Sequence, residues 1–296
     1  MLQMLTTNPF GSVKQINLAE NIPGLIIEHQ YCTATISLYG GQVLAWQPQE
    51  QKPVFWLSDA NQYQVGKAIR GGIPLCWPWF GAHHNDPENH AGNHGFARQQ
   101  MWQIDTIDVL EQNVVVTLKW QGDNIHALFP VACQLKQTLI LGQTFNQQLL
   151  MTNLSSNAIE YTAALHGYFR VSDPQQIRIA ELSKLEFNDK LTGEHRAPEV
   201  FINGVGPVDR VYHRLAGQNQ TLQIQDDQWQ RSIEITSENC QQWVFWNPGK
   251  LEANKMSDVH ENGDNEFVCL EPANTEPQHL AANSSVLIGQ TIKVCS

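Results

Sequence analysis

Charge is scarce in this sequence, and positive charge is the scarcer kind. Asp, Glu, Lys and Arg make up 16% of the 296 residues, with 18 Lys and Arg against 29 Asp and Glu. The formal net charge is −11, and no Lys/Arg-rich run is present. Nucleic acids and anionic membranes attract basic surfaces, so we expect binding to neither. An anionic substrate would need a local group of Arg or Lys.

Cysteine pairs and long apolar runs are also missing. None of the six cysteines belongs to a Cys-x-x-Cys pair, which argues against a zinc ribbon and a small secreted disulfide scaffold. No stretch of 18 apolar residues is present, so no transmembrane helix is predicted. Residues 1–20 lack a basic segment followed by an apolar run, so no signal peptide is expected and the predicted location is the cytoplasm.

A helical period is lacking as well, and the dominant period is two. Apolar residues alternate with polar ones over 34–38, and segments 135–141 and 145–151 flank a Gly-Gln pair typical of a hairpin. Further strands are predicted at 43–46, 114–118, 233–236, 243–246, 267–270 and 286–294. With no linker or repeat, the chain is predicted to be one all-β sandwich domain over residues 1–296.

Two long segments do not fit simple turns. Residues 66–98 and 247–265 are rich in Gly, Pro, His and Asn. Long loops in a compact domain usually carry function. The nine Trp are expected to fill mostly the core, although aromatic rings also line sugar sites.

The first long segment carries two arginines next to glycines. Arg70 precedes Gly71-Gly72, which would let the backbone approach a ligand closely, and Arg98 lies four residues after His94. If the two arginines converge, they form the positive pocket that a phosphate needs. The alternatives are a rigid aromatic loop and two unrelated surface arginines.

Three further positions combine acid or base chemistry with apolar surroundings. His166 lies within Leu-His-Gly-Tyr-Phe, where a satisfied core histidine is the commoner outcome. Glu271 follows an apolar strand that Pro272 is expected to end, and a carboxylate there is costly unless it is exposed or has a role. Asp209 stands between apolar residues.

A histidine-rich run suggests metal ligands as a competing interpretation. Its possible ligands are His83, His84, Asp86, Glu88, His90 and His94. Their spacing matches no defined metal motif, and six ligands in twelve residues exceed what one site uses. A solvated polar loop is the favoured interpretation, and no metal site is predicted.

The ordered motifs RGGIPLCWPWFG, HGFAR, LHGYF, VDRVY, WNPGK and FVCLEP closely resemble those of a known family. The chain is similar, from about residue 25 onward, to the hexose-6-phosphate mutarotases (glucose-6-phosphate 1-epimerases). These are a branch of the aldose 1-epimerase superfamily. The resemblance implies a galactose mutarotase-like β-supersandwich without metal or cofactor. It also implies interconversion of the α and β anomers of a hexose 6-phosphate.

The resemblance also implies roles for the conspicuous residues. His166 takes the position of the general acid, Glu271 that of the general base, and Asp209 that of a sugar-binding aspartate. We expect Glu271 to remove the proton of the C1 hydroxyl while a protonated His166 donates to the ring oxygen. The ring then opens, the C1–C2 bond rotates, and the same pair closes the other anomer.

The remaining motif positions are matched to the substrate. Arg70, Asn93 and Arg98 take substrate and phosphate positions, and His94 is expected to line the same pocket. The expected partner is a small sugar phosphate, and the chain is expected to be a monomer. Two departures from the family are visible, Gly167 in place of a small hydroxyl residue and the histidine-rich insertion.

Other functions remain open at this stage. An aldose 1-epimerase acting on free hexoses would need the same acid–base pair without the phosphate group. A non-catalytic carbohydrate-binding β-sandwich would explain the Trp content, but not an acid facing a histidine. A metal-dependent sugar isomerase would use the histidine-rich run, and activity in EDTA would separate it from the other hypotheses.

Overall fold

The computed structural model describes residues 2–215 and 220–295. Strands dominate this part of the chain, as the period of two predicts. The strands are β1 Gln3–Asn8, β2 Gly11–Ala19, β3 Ile22–His29, β4 Cys32–Ser37, β5 Gln42–Pro48, β6 Leu75–Cys76, β7 Gln103–Val109, β8 Asn113–Gly122, β9 Cys133–Gly142, β10 Thr144–Asn153, β11 Ile159–Leu165, β12 Tyr168–Arg170, β13 Ile177–Arg178, β14 Phe187–Asp189, β15 Glu194–Arg196, β16 Val208–His213, β17 Thr221–Asp226, β18 Arg231–Glu238, β19 Gln242–Asn247, β20 Phe267–Leu280 and β21 Ser285–Cys295. The helices are α1 Gly249–Ala253 and short 3-10 turns at Ala97–Gln99, Pro174–Gln176, Ala180–Lys184 and Gly263–Asn265.

Side-chain alternation explains the strands. Along β9 every second side chain is buried, and β10 follows the same rule, because successive side chains point to opposite faces of a sheet. The two strands pair antiparallel on either side of Gln143, so the predicted hairpin is confirmed. The other seven predicted strands are also present.

The strands form three sheets in which every paired neighbour is antiparallel. The first has the order β1-β2-β3-β4-β5, and the second has the order β13-β17-β18-β21-β10-β9-β8-β7. The third has the order β15-β14-β16-β19-β20-β11-β6, with β12 also pairing with β20. The predicted all-β class is confirmed.

Aromatic residues fill much of the core between the sheets, as expected for most of the tryptophans. Seven of the nine tryptophans are buried, namely Trp46, Trp56, Trp77, Trp79, Trp102, Trp120 and Trp243. A second group of buried rings around Trp56 includes Tyr168 and Phe267. Trp246 and Met256 pack against this second group.

The expectation that Pro272 ends its strand is wrong. Strand β20 runs through Pro272 to Leu280, and Pro272 pairs with Trp243 of β19. The N–H of Leu270 donates to the carbonyl of Gly167, so the ring nitrogen of Pro272, two residues on, faces the same side. On that side Ala273 pairs with β11 and Cys269 pairs with β12, so Pro272 faces the break between the two strands and its missing donor costs no ladder bond.

Gly71 and Gly72 allow a close approach between backbone segments. Both have a positive φ, +106° and +63°. A Cβ on Gly72 would overlap the carbonyl oxygen of Val43, and the Gly72 N–H donates to the carbonyl of Trp56 at 2.7 Å. The glycines therefore let the chain pack closely against its own backbone.

The two long segments lie beside the third sheet. Residues 66–98 contain only β6 and the beginning of one 3-10 turn, and residues 247–265 contain the last residue of β19, α1 and another such turn. Within the described residues, no helix is long and apolar enough to cross a membrane.

Candidate active site

A cleft of about 470 Å³ opens above the third sheet, between the two long segments. All seven residues that the sequence singled out line it, namely Arg70, Asn93, His94, Arg98, His166, Asp209 and Glu271. The cleft therefore gathers residues from four separate regions of the chain. Its floor is the sheet, and its rim is built from the long segments.

Pairing across three neighbouring strands builds the floor. Val244 of β19 pairs with Glu271 of β20, and Trp246 pairs with Asp209 of β16. Paired residues in adjacent strands point to the same face, and so do residues two apart along one strand. The Glu271, Val244, Trp246 and Asp209 side chains consequently all face the cleft.

His166 stands at the break between β11 and β12. Its N–H donates to the carbonyl of Pro74 at 3.1 Å, and its ring stacks on Tyr168 with centroids 4.8 Å apart and planes at 6°. The imidazole is 6% exposed. Because the backbone and one ring face are both fixed, the side chain is held in a defined orientation next to β20.

His166 and Glu271 form a buried pair. Nδ1 of His166 lies 3.2 Å from Oε1 of Glu271, although the two atoms are not aligned as a hydrogen bond. Neither that Nδ1 nor Oε2 of Glu271 has a hydrogen-bond partner among the described residues. Buried polar atoms without partners are rare and need an explanation. Here both belong to residues that line the cleft.

Burial shifts the two pKa values in opposite directions. Desolvation, together with the charge of Asp209, raises the pKa of Glu271 well above its usual value. Desolvation, followed by the charges of Arg98 and Arg70, lowers the pKa of His166 well below its usual value. The free protein therefore favours the neutral forms of both groups over the imidazolium and carboxylate expected from the sequence.

His94 sits in a strained part of the rim. Its φ is +71°, and its Nδ1 accepts a hydrogen bond from the N–H of Gly81 at 3.2 Å. An accepting Nδ1 leaves the proton on Nε2, so the neutral ring is a donor. Burial and the charge of Arg98 lower the pKa of His94 well below its usual value, which favours that neutral form. Asn93, beside it, is exposed at the cleft mouth.

Arg70 is already held by two partners. Its Nε and one terminal nitrogen lie 3.1 and 3.0 Å from Oδ2 of Asp258, and its other terminal nitrogen donates to the Tyr168 hydroxyl at 2.9 Å. The guanidinium is thus fixed in place, but Asp258 neutralises part of its charge. Neither partner was singled out by the sequence.

Arg98 and Lys190 are the cations at the cleft that have no carboxylate partner within 4.0 Å among the described residues. Arg98 donates to the carbonyl of Asn93 at 2.7 Å, while its buried Nε has no partner there. Lys190 lies over the Phe80 ring, 5.4 Å from its centroid. Burial lowers the pKa of Arg98, so an anion beside it would relieve an unfavourable charge.

Lys190 is the clearest omission of the sequence analysis. It follows β14 in a turn, and its N–H donates to the carbonyl of Asp209 at 2.8 Å. This bond ties the turn to the strand that carries Asp209. The surrounding sequence gives no motif, so only the pairing of β14 with β16 places Lys190 at the cleft. Burial raises the pKa of Asp209, and Lys190 counteracts that shift.

Aromatic and apolar side chains complete the cleft wall. Trp246, Phe80 and Met256 all line it. Trp246 is one of two tryptophans that are not buried, and its ring lies edge-on to His166 at 6.1 Å. Trp246 begins the WNPGK motif, but that motif by itself assigns it no role in the cleft.

The histidine-rich run forms part of the outer rim. His83 and His84 stack on each other at 4.6 Å, and His90 lies 3.7 Å from Asp86. In the chain as described, no three ligand atoms of this run come within 4.8 Å of one another. One set elsewhere does meet that criterion, namely His166, Cys269 and Glu271.

Comparison with known proteins agrees with this architecture. The model of the family described as "Aldose 1-epimerase" matches residues 25–291.

The chain belongs to the aldose 1-epimerase family.

Curated relatives of this epimerase come from several organisms. The proteins named "Putative glucose-6-phosphate 1-epimerase" from Salmonella typhimurium and Escherichia coli are 29% and 30% identical to it over 278 residues. Each alignment covers 91% of this chain and 90% of the relative.

Solved structures show the same fold. A crystal structure titled a "putative mutarotase" from Salmonella typhimurium superposes with a TM-score of 0.87 at 27% identity. That alignment covers 100% of this chain and 97% of the other. A galactose mutarotase-like protein from Clostridium acetobutylicum superposes with a TM-score of 0.76 at 16% identity, covering 98% of this chain and 100% of the other. The expected galactose mutarotase-like fold is therefore confirmed. Membership of the aldose 1-epimerase family implies a small sugar as the substrate.

Proposed function

We propose that this epimerase interconverts the α and β anomers of a hexose 6-phosphate, with glucose 6-phosphate as the first candidate. The observation that carries the proposal is the gathering of Arg70, Arg98 and Lys190 around the cleft that holds the His166–Glu271 pair. The chain has a net charge of −11 and only 18 Lys and Arg. Three cations at one cleft are therefore a local exception to the charge of the protein, and a phosphate dianion suits them.

The proposed chemistry uses the acid–base pair alone. Glu271 takes the proton of the C1 hydroxyl, the C1=O bond forms as the bond between C1 and the ring oxygen breaks, and His166 gives its proton to the ring oxygen. After rotation about C1–C2, the former ring oxygen attacks C1 and gives its proton back to His166, while Glu271 returns its proton to the carbonyl oxygen, so the pair ends as it began. Acid–base assistance of this kind contributes about 10²–10⁴-fold.

Protonation of His166 is the costly step in this scheme. Its pKa is lowered first by burial and then by the charges of Arg98 and Arg70. A phosphate dianion bound at these arginines would offset their charge and make the imidazolium easier to form. The phosphate would then assist the reaction itself as well as binding.

Roles for the remaining residues follow from their positions. Asp209, on the same face of the third sheet as Glu271, would accept a hydrogen bond from a sugar hydroxyl. The neutral His94 would donate a hydrogen bond to a sugar oxygen. Asn93, at the mouth, would contact the substrate edge. Arg98 and Lys190, without carboxylate partners, are the better phosphate ligands, and Arg70 completes the positive wall from a fixed position.

A buried acid–base pair favours catalysis over simple sugar binding. A carboxylate that is 1% exposed and lacks a partner on Oε2 is costly. A binding module would gain nothing from that cost. The non-catalytic hypothesis therefore explains the cleft less well.

Exchange spectroscopy by NMR tests the proposal. Saturation of the α-anomer C1 proton should transfer to the β-anomer signal in the presence of protein, faster than in buffer, for glucose 6-phosphate. The same measurement on free glucose supplies the comparison. A kcat/KM for glucose that equals or exceeds that for glucose 6-phosphate would replace the proposal with an aldose 1-epimerase acting on free hexoses. The measurement is repeated with galactose, mannose and their 6-phosphates. If the protein accelerates anomer exchange of none of these sugars, catalysis on hexoses is contradicted.

A further inference from the structure

Cys269 is a buried thiol beside the acid–base pair that the proposed reaction does not use. It lies on β20 two residues before Glu271, so both side chains point to the same face of the sheet. The Cys269 Sγ, a ring nitrogen of His166 and a carboxylate oxygen of Glu271 all lie within 4.8 Å of one another. All three residues are buried.

The three donor types are those that zinc prefers. Thiolate, imidazole and carboxylate all bind Zn²⁺, and catalytic zinc sites commonly have three protein ligands with a fourth position open. Zinc–ligand bonds of about 2.0–2.3 Å in tetrahedral geometry place the ligand atoms roughly 3.3–3.8 Å apart. A small inward movement of the side chains would bring this set to that spacing.

Two of the donors are available without breaking any hydrogen bond. Nδ1 of His166 and Oε2 of Glu271 are buried atoms that lack a hydrogen-bond partner within residues 2–215 and 220–295. Both residues line the cleft, so an ion can reach them from solvent. The lowered pKa of His166 keeps its ring neutral, which is the form that binds a metal.

Two features oppose binding. The charges of Arg70 and Arg98 act on the same pocket, and burial raises the pKa of the Cys269 thiol well above its usual value. Binding must therefore release the thiol proton as the sulfur–metal bond forms, and it should strengthen as pH rises. The same positive charges would attract an anionic substrate.

We propose that Cys269, His166 and Glu271 form a binding site for a thiophilic divalent cation of the zinc class, and that the bound ion blocks the acid–base pair. The site is inhibitory rather than a requirement for activity. Blocking rests on the proposed roles of His166 and Glu271, whereas binding itself does not.

Cobalt(II) is a suitable probe because it occupies zinc sites and reports on its ligands by absorbance. Titration of metal-free protein with Co²⁺ should produce a near-ultraviolet thiolate-to-cobalt charge-transfer band and visible bands of a tetrahedral ion. Cys269→Ser should lose the charge-transfer band and bind at least about tenfold more weakly. Cys240→Ser replaces another fully buried cysteine outside the cleft and should behave as wild type. Binding that persists with the band in Cys269→Ser, or no band in wild type, overturns the site.

The charge-transfer band also separates this site from the histidines of the rim, which contain no thiol. His166→Ala should weaken Co²⁺ binding, whereas His83→Ala, a rim substitution, should not. Thermal unfolding of every variant without metal shows that it is folded. Equal weakening by both histidine substitutions overturns the assignment.

Inhibition provides a separate measurement. Zn²⁺ should slow anomer exchange in wild type and in Cys240→Ser, EDTA should restore it, and glucose 6-phosphate should compete with the ion. Each variant is compared with its own rate without zinc, and Cys269→Ser should need at least about tenfold more zinc for the same loss. Equal inhibition of Cys269→Ser contradicts the proposal. If no sugar is turned over, the proposed function fails, but the cobalt spectra still test whether the metal site exists.

Discussion

The ring of Tyr168 lies parallel to the imidazole of His166, 4.8 Å away, while its hydroxyl accepts a hydrogen bond from Arg70. One side chain thus contacts both the proposed acid and a cation of the proposed phosphate site. Asp258 holds the same Arg70 from the other side. The chain of contacts from Asp258 to His166 is continuous.

This arrangement makes Tyr168 a positioning residue with two separable effects. Tyr168→Phe keeps the stack but removes the hydroxyl, so we expect KM for glucose 6-phosphate to rise about three- to tenfold with little change in kcat. Tyr168→Leu removes the stack, so we expect kcat to fall about tenfold or more. Steady-state kinetics check both expectations. Identical profiles for the two variants would show that the ring has no orienting role.

Removal of either member of the buried pair should abolish most of the activity. We expect His166→Ala and Glu271→Gln each to slow anomer exchange by at least about 10²-fold, and the double variant to lose little more, because the two groups act together. Anomer exchange followed by polarimetry measures the loss. His29→Ala, which replaces a buried histidine of the first sheet, is the control and should retain activity. A double loss equal to the product of the single losses would argue against concerted action.

The buried carboxyl of Glu271 should lower the free energy of unfolding at neutral and alkaline pH. Burial raises the pKa of Glu271 above its usual 4.5. Below pH 4.5 the carboxyl is protonated in both the folded and unfolded states, so Glu271→Gln should then change little. As pH rises, the unfolded state ionises first, and the free energy of unfolding of wild type falls until the folded pKa is passed.

Glu271→Gln should therefore be more stable than wild type at pH 8, with a smaller advantage at pH 5. Thermal unfolding of both proteins at several pH values measures the difference. Glu276→Gln, which replaces an exposed glutamate of the same strand, should show no such trend. A variant that is less stable than wild type at pH 8 would mean that the ionised Glu271 is stabilised in place.

The three cations should contribute unequally to the choice of substrate. Arg98→Ala or Lys190→Ala should lower kcat/KM for glucose 6-phosphate about ten- to a hundredfold, since each removes a charge-assisted contact of about 1.5–3 kcal/mol. Arg70→Ala should lower it less, because Asp258 already neutralises part of that charge. Activity on free glucose should change little in all three.

Arg178→Ala is the matched control, because Arg178 pairs with Asp227 on the exposed surface. The kinetic comparison of both sugars across the four variants measures the effect. Equal losses on the two sugars would assign these cations to structure or to sugar hydroxyls instead of a phosphate.

The glycines of the rim should differ sharply in their tolerance of a side chain. Gly92 and Gly95 both have positive φ, +74° and +65°. A Cβ at Gly92 meets no atom within 4 Å, whereas one at Gly95 overlaps the backbone of Trp77. Gly92→Ala should cost about 1–2 kcal/mol, and Gly95→Ala at least about 2 kcal/mol more. Denaturant unfolding measures both, and equal costs would show that the loop can move away from Trp77.

Local patterns were sufficient to predict nine of the 21 strands in the described residues. The alternation in β9 and β10 requires one buried face, and the single residue between the strands, Gln143, leaves room only for a tight turn. The same patterns failed at Pro272, where the tolerance of a proline depends on a gap in the neighbouring strand. That gap is a property of the sheet, not of the residue.

Ordered motifs led to seven of the residues that line the cleft, because each motif places a polar residue among apolar or glycine-rich neighbours. Their roles in the reaction remain predictions. The motifs could not show that Arg70 is engaged by Asp258, since the two residues are 188 positions apart. Nor could they show that Arg98 lacks such a partner.

Tertiary structure alone brought Lys190 and Cys269 to the site. Lys190 reaches the cleft because β14 pairs with β16, and Cys269 approaches His166 because β20 lies between β11 and β19. Sequence determines which face of a strand a side chain occupies, through the period of two. Which strands become neighbours depends on the packing of the whole chain, and that packing decides which charges and donor atoms meet.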